Sequence, residues 1–149
     1  MTIKTSTGLR NRMLDTGSAK NRLALGFIKL YSGTEPATAD STVTGTLLST
    51  ISVSGNGTGL SLETAAVSGV LAKLAGQVWS GAIVASGAAG YYRFSAAGDT
   101  GATSTTEERI QGSVGLAGAD INLSSIALTA NAALTAQTID YYVVTLPTA

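Results

Sequence analysis

The sequence predicts an all-β fold: a jelly-roll-like β-sandwich of about eight or nine short strands, preceded by a basic arm that holds a short helix. Three observations carry this expectation. Short apolar runs are punctuated throughout by Gly, Ser, Thr and Asn, the pattern of short strands joined by tight turns. Residues of helical periodicity are confined to the first 26 positions. Hydrophobic residues make up 44% of the 149-residue chain but charged residues only 12%, about half the usual share, and Gly contributes 18. A surface so poor in charge is expected to lie partly against other protein.

The charge is unevenly placed, which divides the chain into an arm at 1–26 and a sandwich domain at 27–149. Lys4, Arg10, Arg12, Lys20, Arg22 and Lys29 are opposed only by Asp15 in the first 29 residues. The rest of the chain sets Lys73, Arg93 and Arg109 against eight carboxylates. Within the arm, Thr7 is placed to cap a helix over Leu9–Asp15 that Gly17 closes. Leu9 and Met13 then share a face at i, i+4 spacing. A second turn spans Ser18 to Leu25 and ends at Gly26. Helices this short are marginal alone, so the body or a neighbouring subunit must supply a surface for them.

The body opens with the strand Phe27–Tyr31, stopped by Ser32-Gly33 and a polar connection through Pro36 to Ser41. Gly45–Ser54 alternates next, with Leu47, Ile51 and Val53 on one side and Thr50, Ser52 and Ser54 on the other. The cluster Gly55-Asn56-Gly57-Thr58-Gly59 is a turn. It lacks the Gly-Lys-Ser/Thr of a phosphate loop. Leu60–Leu62 and Gly69–Leu74 are short strands. The stretch Gly76–Phe94 is then expected to form the centre of the core, because it holds Trp79, Tyr91, Tyr92 and Phe94, four of the eight aromatics. It reads as a hairpin of Gln77–Ala85 and Gly90–Ala96 about the turn Ser86–Ala89, covered on both faces.

The stretch after it, from Ala97 to Glu108, is a long polar loop, in which Asp99, Glu107 and Glu108 are read as solvated, with a cation near Asp99 left open. Arg109–Leu116 is a strand with Ile110 and Val114 in phase, followed by the turn Gly115–Asp120 and the short strands Ile121–Leu123 and Ile126–Leu128. A last strand, Ala136–Leu146, places Ile139, Tyr141 and Val143 opposite Asp140, Tyr142 and Val144, and Pro147 ends it.

The chain has no Cys and no His. Disulfides, Cys/His zinc sites and Ser-His-Asp triads are thereby excluded, and neither a metal nor a cofactor is expected. The spacing of Asp99, Glu107, Asp120 and Asp140 selects no glycosidase-type carboxylate pair, so the chain is not expected to be an enzyme. The basic arm has no aromatic residue interleaved with its charges, which argues against nucleic acid. Residues 1–24 hold no continuous apolar h-region, and the weakly apolar run Ala65–Tyr92 is interrupted by Lys73 and Gln77, so neither a signal peptide nor a membrane span is expected.

The succession of elements resembles a known group. Phe27-Ile28-Lys29-Leu30-Tyr31-Ser32-Gly33-Thr34-Glu35-Pro36-Ala37-Thr38-Ala39-Asp40 followed by Gly45-Thr46-Leu47-Leu48 is similar to small virion proteins of tailed bacteriophages. So are Gly90-Tyr91-Tyr92-Arg93-Phe94 with Gly98-Asp99-Thr100, Ile110-Gln111-Gly112-Ser113-Val114-Gly115, Gly118-Ala119-Asp120-Ile121-Asn122-Leu123 and Ile139-Asp140-Tyr141-Tyr142. The likeness runs from about Gly8 to Pro147. It implies a capsid decoration (cement) protein on the virion's capsid surface, with the major capsid protein as partner and with no catalytic residues. On that reading Lys4, Arg10, Arg12, Lys20 and Arg22 anchor an arm that orders on acidic capsid surface. Self-association as a dimer or trimer is also expected. The alternative is a head–tail component or a tail-fibre, carbohydrate-binding module, which needs exposed aromatics where the strand positions predict buried ones.

Overall fold

The computed structural model describes residues 3–130 and 136–145. They form an all-β sandwich with two short helices near the N-terminus. In chain order the elements are β1 (Lys4–Thr5), α1 (Thr7–Asp15), α2 (Ala19–Leu23), β2 (Phe27–Ser32), β3 (Leu47–Val53), β4 (Val70–Ala72), β5 (Trp79–Ala82), β6 (Gly87–Ser95), β7 (Arg109–Gly115), β8 (Ile121–Asn122), β9 (Ala127–Leu128), β10 (Ala136–Ile139) and β11 (Val143–Thr145). The main sheet runs β1-β7-β6-β2-β3-β5-β10, with β8 alongside β7 and β9 alongside β6; β4 and β11 pair separately. All pairings are antiparallel except β7 with β8.

The expected aromatic hairpin is not one. β5 pairs with β3 and β10, whereas β6 pairs with β2, β7 and β9. The two segments sit three places apart in the sheet, which curls until the Trp79 ring meets Phe94 edge-on at 6.2 Å. β6 is buried on both sides from Tyr91 to Ser95, as a central strand should be. β5 is buried only from Trp79 to Gly81: its last residue, Ala82, is exposed, as are the flanking Val78 and Val84 at 56% and 63%. Leu60–Leu62 contributes isolated bridges, Gly26 to Leu60 and Leu62 to Lys73, in place of a strand.

Two departures from simple alternation have local causes. The β2–β3 register steps from Leu30 opposite Ser49 to Tyr31 opposite Leu47, leaving Leu48 as an extra residue in a bulge. Leu48 and Ile51 are therefore both fully buried, although period-two counting put them on opposite faces. The final strand is broken at Asp140–Tyr142 into β10 and β11, which belong to different sheets. The break turns Tyr142 into the core (1% exposed) beside Ile139, which simple alternation put on the other side of the strand, and leaves Tyr141 outside (73%). Leu146 and Pro147, the expected end of that strand, lie outside the described residues.

The four predicted core aromatics, Trp79, Tyr91, Tyr92 and Phe94, are all fully buried. Tyr142 joins three of them, packing against Trp79 (5.8 Å), Phe94 (5.8 Å) and Tyr92 (5.6 Å), with the Tyr92 and Tyr142 hydroxyls 3.2 Å apart. Tyr91 lies on the opposite face of β6, stacked on Tyr31 at 5.2 Å. Burial raises the phenol pKa of Tyr92, Tyr142 and Tyr31, the last to about 12, because desolvation disfavours the phenolate. A phenol raised in the fold stabilises it fully below the unfolded value of about 10 and loses that contribution as pH climbs through the folded value. Tyrosinate absorbance should therefore show these three phenols ionising only with a cooperative alkaline unfolding. Non-cooperative titration of all five tyrosines near pH 10 or so would contradict their burial.

The N-terminal segment is folded onto the sheet, which answers what its short helices pack against. The helix cap is Ser6, not Thr7: the Ser6 hydroxyl accepts from Leu9 N–H (3.1 Å) and Arg109 N–H (2.9 Å) and donates to the Glu107 carbonyl (2.7 Å). Thr7 stands inside α1, where its N–H and hydroxyl both donate to Asp40 (2.7 and 2.6 Å), placing a carboxylate at the helix's positive end. Ser18 caps α2. Leu9 and Leu23 are completely buried in the common core. Gly8 permits the contact, since a Cβ there would stand 2.4 Å from the Thr106 carbonyl oxygen. Gly8→Ala should push α1 off the sheet and lower stability by about 1–3 kcal/mol in urea denaturation, and an unchanged midpoint would show that the contact is loose.

Candidate docking surface

The five cations expected to face a partner fall into two groups. Lys4 is paired with Glu35 (3.2 Å) and donates to the Pro36 carbonyl; Arg12 and Arg22 converge on Glu108 (3.6 and 3.7 Å). These three are matched by the chain's own carboxylates. Arg10 donates only to neutral oxygens, the Thr5 carbonyl and the Thr7 hydroxyl, and Lys20 only to the Thr64 carbonyl. Among the described residues neither has a carboxylate partner, so both keep an unneutralised charge at the surface.

Those two cations flank an apolar groove. One hollow, of about 300 Å³, opens between α1, β1 and β11 and is lined by Leu9, Met13, Leu14 and Ile110, with Arg10 at its rim. A second, of about 450 Å³, lies between α2 and the 64–71 segment, with Leu71 at its floor side and Lys20 at its rim. Met13, Ala19 and Val144 line both, so the hollows adjoin across a shared wall. Among the described residues no Asp or Glu lines either one. Leu14 is 86% exposed, an apolar residue on a helix face that the described residues do not cover. The sequence signalled Leu9 and Met13 through their spacing, but Leu14 falls off that stripe and Val144 arrives from the other end of the chain.

A second surface is the outer side of β5 and β10. Side chains directly opposite one another share a face, so Ser80 sits with Ser52 and Thr138, and Ala82 with Ala136. Ser52 and Ser80 are buried there, but Ala82, Ala136 and Thr138 are exposed and, with Val78 and Val84, make a largely uncharged face with the exposed Asp140 just past β10 at its end. The outer edge of β10 has no strand partner among the described residues.

Further along that side of the main sheet, toward β2, β6, β7 and β1, buried charge holds the polar face. Lys29, Arg93, Gln111 and Lys4 stand directly opposite one another on four neighbouring strands. The loops before β3 and before β7 close over them: Arg109 donates to the Ala39 and Ala102 carbonyls, Gln111 to the Pro36 carbonyl, and the Tyr91 hydroxyl to the Thr44 carbonyl. Asp99, read from the sequence as a solvated loop residue, is 4% exposed. It takes a two-pronged ion pair from Arg109 (2.7 and 2.6 Å) and the Gly101 N–H (2.9 Å). Burial alone would raise its pKa, but the Arg109 hydrogen bonds, the Gly101 N–H and the Arg109 charge outweigh it and hold the carboxyl below its ordinary value. Arg93 donates to Gln111 (2.6 Å), while its Nε and Nη1 have no hydrogen-bond partner among the described residues. Desolvation, and next the charge of Arg109, lower its pKa.

Among the described residues no group of three or more Asp or Glu side chains is gathered to hold a metal ion, and no helix is long and apolar enough to cross a membrane. Glu107 and Glu108 do not join Asp99. Glu108 faces Arg12 and Arg22, and the Glu107 carbonyl accepts from Ser6. Neither a protein-family model, nor a curated protein, nor a solved structure matches this chain.

Proposed function

We infer that the chain is a structural protein of a tailed-bacteriophage virion, seated on the outside of the capsid, where it binds the major capsid protein and cements neighbouring subunits. The observation that carries this reading is the largely uncharged stretch of Val78, Ala82, Val84, Ala136 and Thr138 exposed along β5 and β10, beside a sheet edge unpaired among the described residues. Adhesion needs area and shape match rather than reactive groups, and stable contacts bury upward of about 1,000 Å². Many copies on one lattice then add through avidity, so each contact is allowed to be weak. The grip assigned to the basic segment now rests on Arg10 and Lys20. Removing residues 1–24 would also strip Leu9 and Leu23 from the core, so single surface substitutions are the informative variants. Mass spectrometry of purified native particles should find the chain at a fixed copy number per shell. Its consistent absence from assembled particles would end the reading.

One observation favours the tail-fibre alternative. Tyr141, the one exposed aromatic among the described residues, borders a hollow of about 260 Å³ with Asp120 and Asn122, an arrangement of ring, carboxylate and amide that suits a sugar. Glycan-array binding that Tyr141→Ala removes would support this reading over the first.

A further inference from the structure

The groove beside α1 and α2 has a chemistry that specifies its occupant. Its walls are apolar, yet its two rims carry Arg10 and Lys20, which have only neutral hydrogen-bond acceptors among the described residues, and no acidic residue lines it. Two hollows separated by the wall of Met13, Ala19 and Val144 match two anchor side chains, the usual way a groove reads an amphipathic segment. An uncharged apolar ligand would bury the walls and leave both cations unmatched. A basic one would be repelled by them. An acidic one satisfies walls and rims together.

We propose that this groove docks a segment of a partner protein bearing two apolar anchors flanked by Asp or Glu. The inference rests on the adhesive reading above and names the acidic, amphipathic element that the chain grips. Arg10 and Lys20 steer and hold the segment's carboxylates, while Leu14, left uncovered by the described residues, lies against the segment's apolar side.

Selection of a random displayed-peptide library on the full-length chain tests this. Enriched peptides should pair Leu, Ile or Phe anchors with flanking Asp or Glu, and their affinity should fall as salt is raised. Leu14→Glu should abolish enrichment; being a substitution at an exposed position, it should leave the circular dichroism spectrum and denaturation midpoint unchanged. Arg10→Gln with Lys20→Gln should weaken the enriched peptides roughly five- to tenfold, the effect of two exposed ion pairs. Enrichment of basic or uncharged apolar peptides would overturn the proposal, as would an absence of any sequence sensitive to Leu14→Glu. A concentration-dependent dimer that Leu14→Glu dissociates would also overturn it, by giving the groove to a second copy of the chain. Acidic peptides recovered for a chain never found in particles would sink the virion reading while leaving the groove's specificity in place.

Discussion

Asp99→Asn should cost the fold about 3–5 kcal/mol, measured as the loss in urea denaturation at neutral pH, because it leaves the Arg109 guanidinium charged and buried without a counter-ion. Arg109 is 1% exposed and sends both prongs of its fork to that one carboxylate. The same pair fixes an acid limb. A carboxylate whose folded pKa is depressed stabilises the fold above its unfolded value, near 4, and the contribution disappears as pH falls through the folded value. Wild type should therefore lose stability on acidification below about pH 4, and the Asp99→Asn variant should lack the part of that loss due to this pair. A cost under about 1 kcal/mol would mean that water reaches the pair. Arg93 supplies the contrast. It is equally buried but has no carboxylate of its own, so Arg93→Met should be neutral or should raise stability by roughly 1–2 kcal/mol, despite the hydrogen bond lost from Gln111.

Trp79→Ala should be comparably severe, about 3–5 kcal/mol, for a different reason. The indole is completely buried, meets Phe94 and Tyr142, carries Lys73 over its ring at 5.7 Å, and donates through Nε1 to Gln77 (2.9 Å). Removing it opens a cavity where the curled sheet closes on itself, and Gln77, which also accepts from Ser61 N–H, loses one partner. Trp79→Phe should recover most of the loss. Stability within about 1 kcal/mol of wild type in the Ala variant would show that the curl does not depend on this contact.

The strands of the main sheet were legible where alternation is unbroken. β2 and β7 stand where Phe27–Tyr31 and Arg109–Leu116 were expected, and Trp79, Tyr91, Tyr92 and Phe94 are as buried as their strand positions suggest. Alternation failed where one residue changes the phase, at the Leu48 bulge and at the Asp140–Tyr142 break, since neither leaves a Gly or Pro mark. Partner choice was not legible either. Adjacent runs joined by a Gly-containing turn imply a hairpin, but the Trp79–Phe94 contact favours opposite walls of a curled sheet. Asp99 was read as solvated for a general reason: a carboxylate in a polar loop usually faces water, and only the loop folding back onto the buried Arg109 reverses that. Opposite charges at Asp99 and Arg109, bracketing a Gly- and Thr-rich loop, were the available signal. The docking groove was half visible, in the cation excess and the Leu9–Met13 spacing, but its far wall comes from Val144.

Tyr142 also sets a timetable for folding. As a nascent chain leaves the ribosome, β2, β3, β5 and β6 emerge well ahead of the ring that fills the space among Trp79, Phe94 and Tyr92, which follows Tyr92 by 50 positions. β1, by contrast, must wait for β7, which follows it by about a hundred positions, before it can pair. Partners so distant along the chain make for slow, loop-closing assembly. A half-synthesised molecule therefore presents Trp79 and open strand edges to its surroundings, and during synthesis it is the species with most to gain from a chaperone.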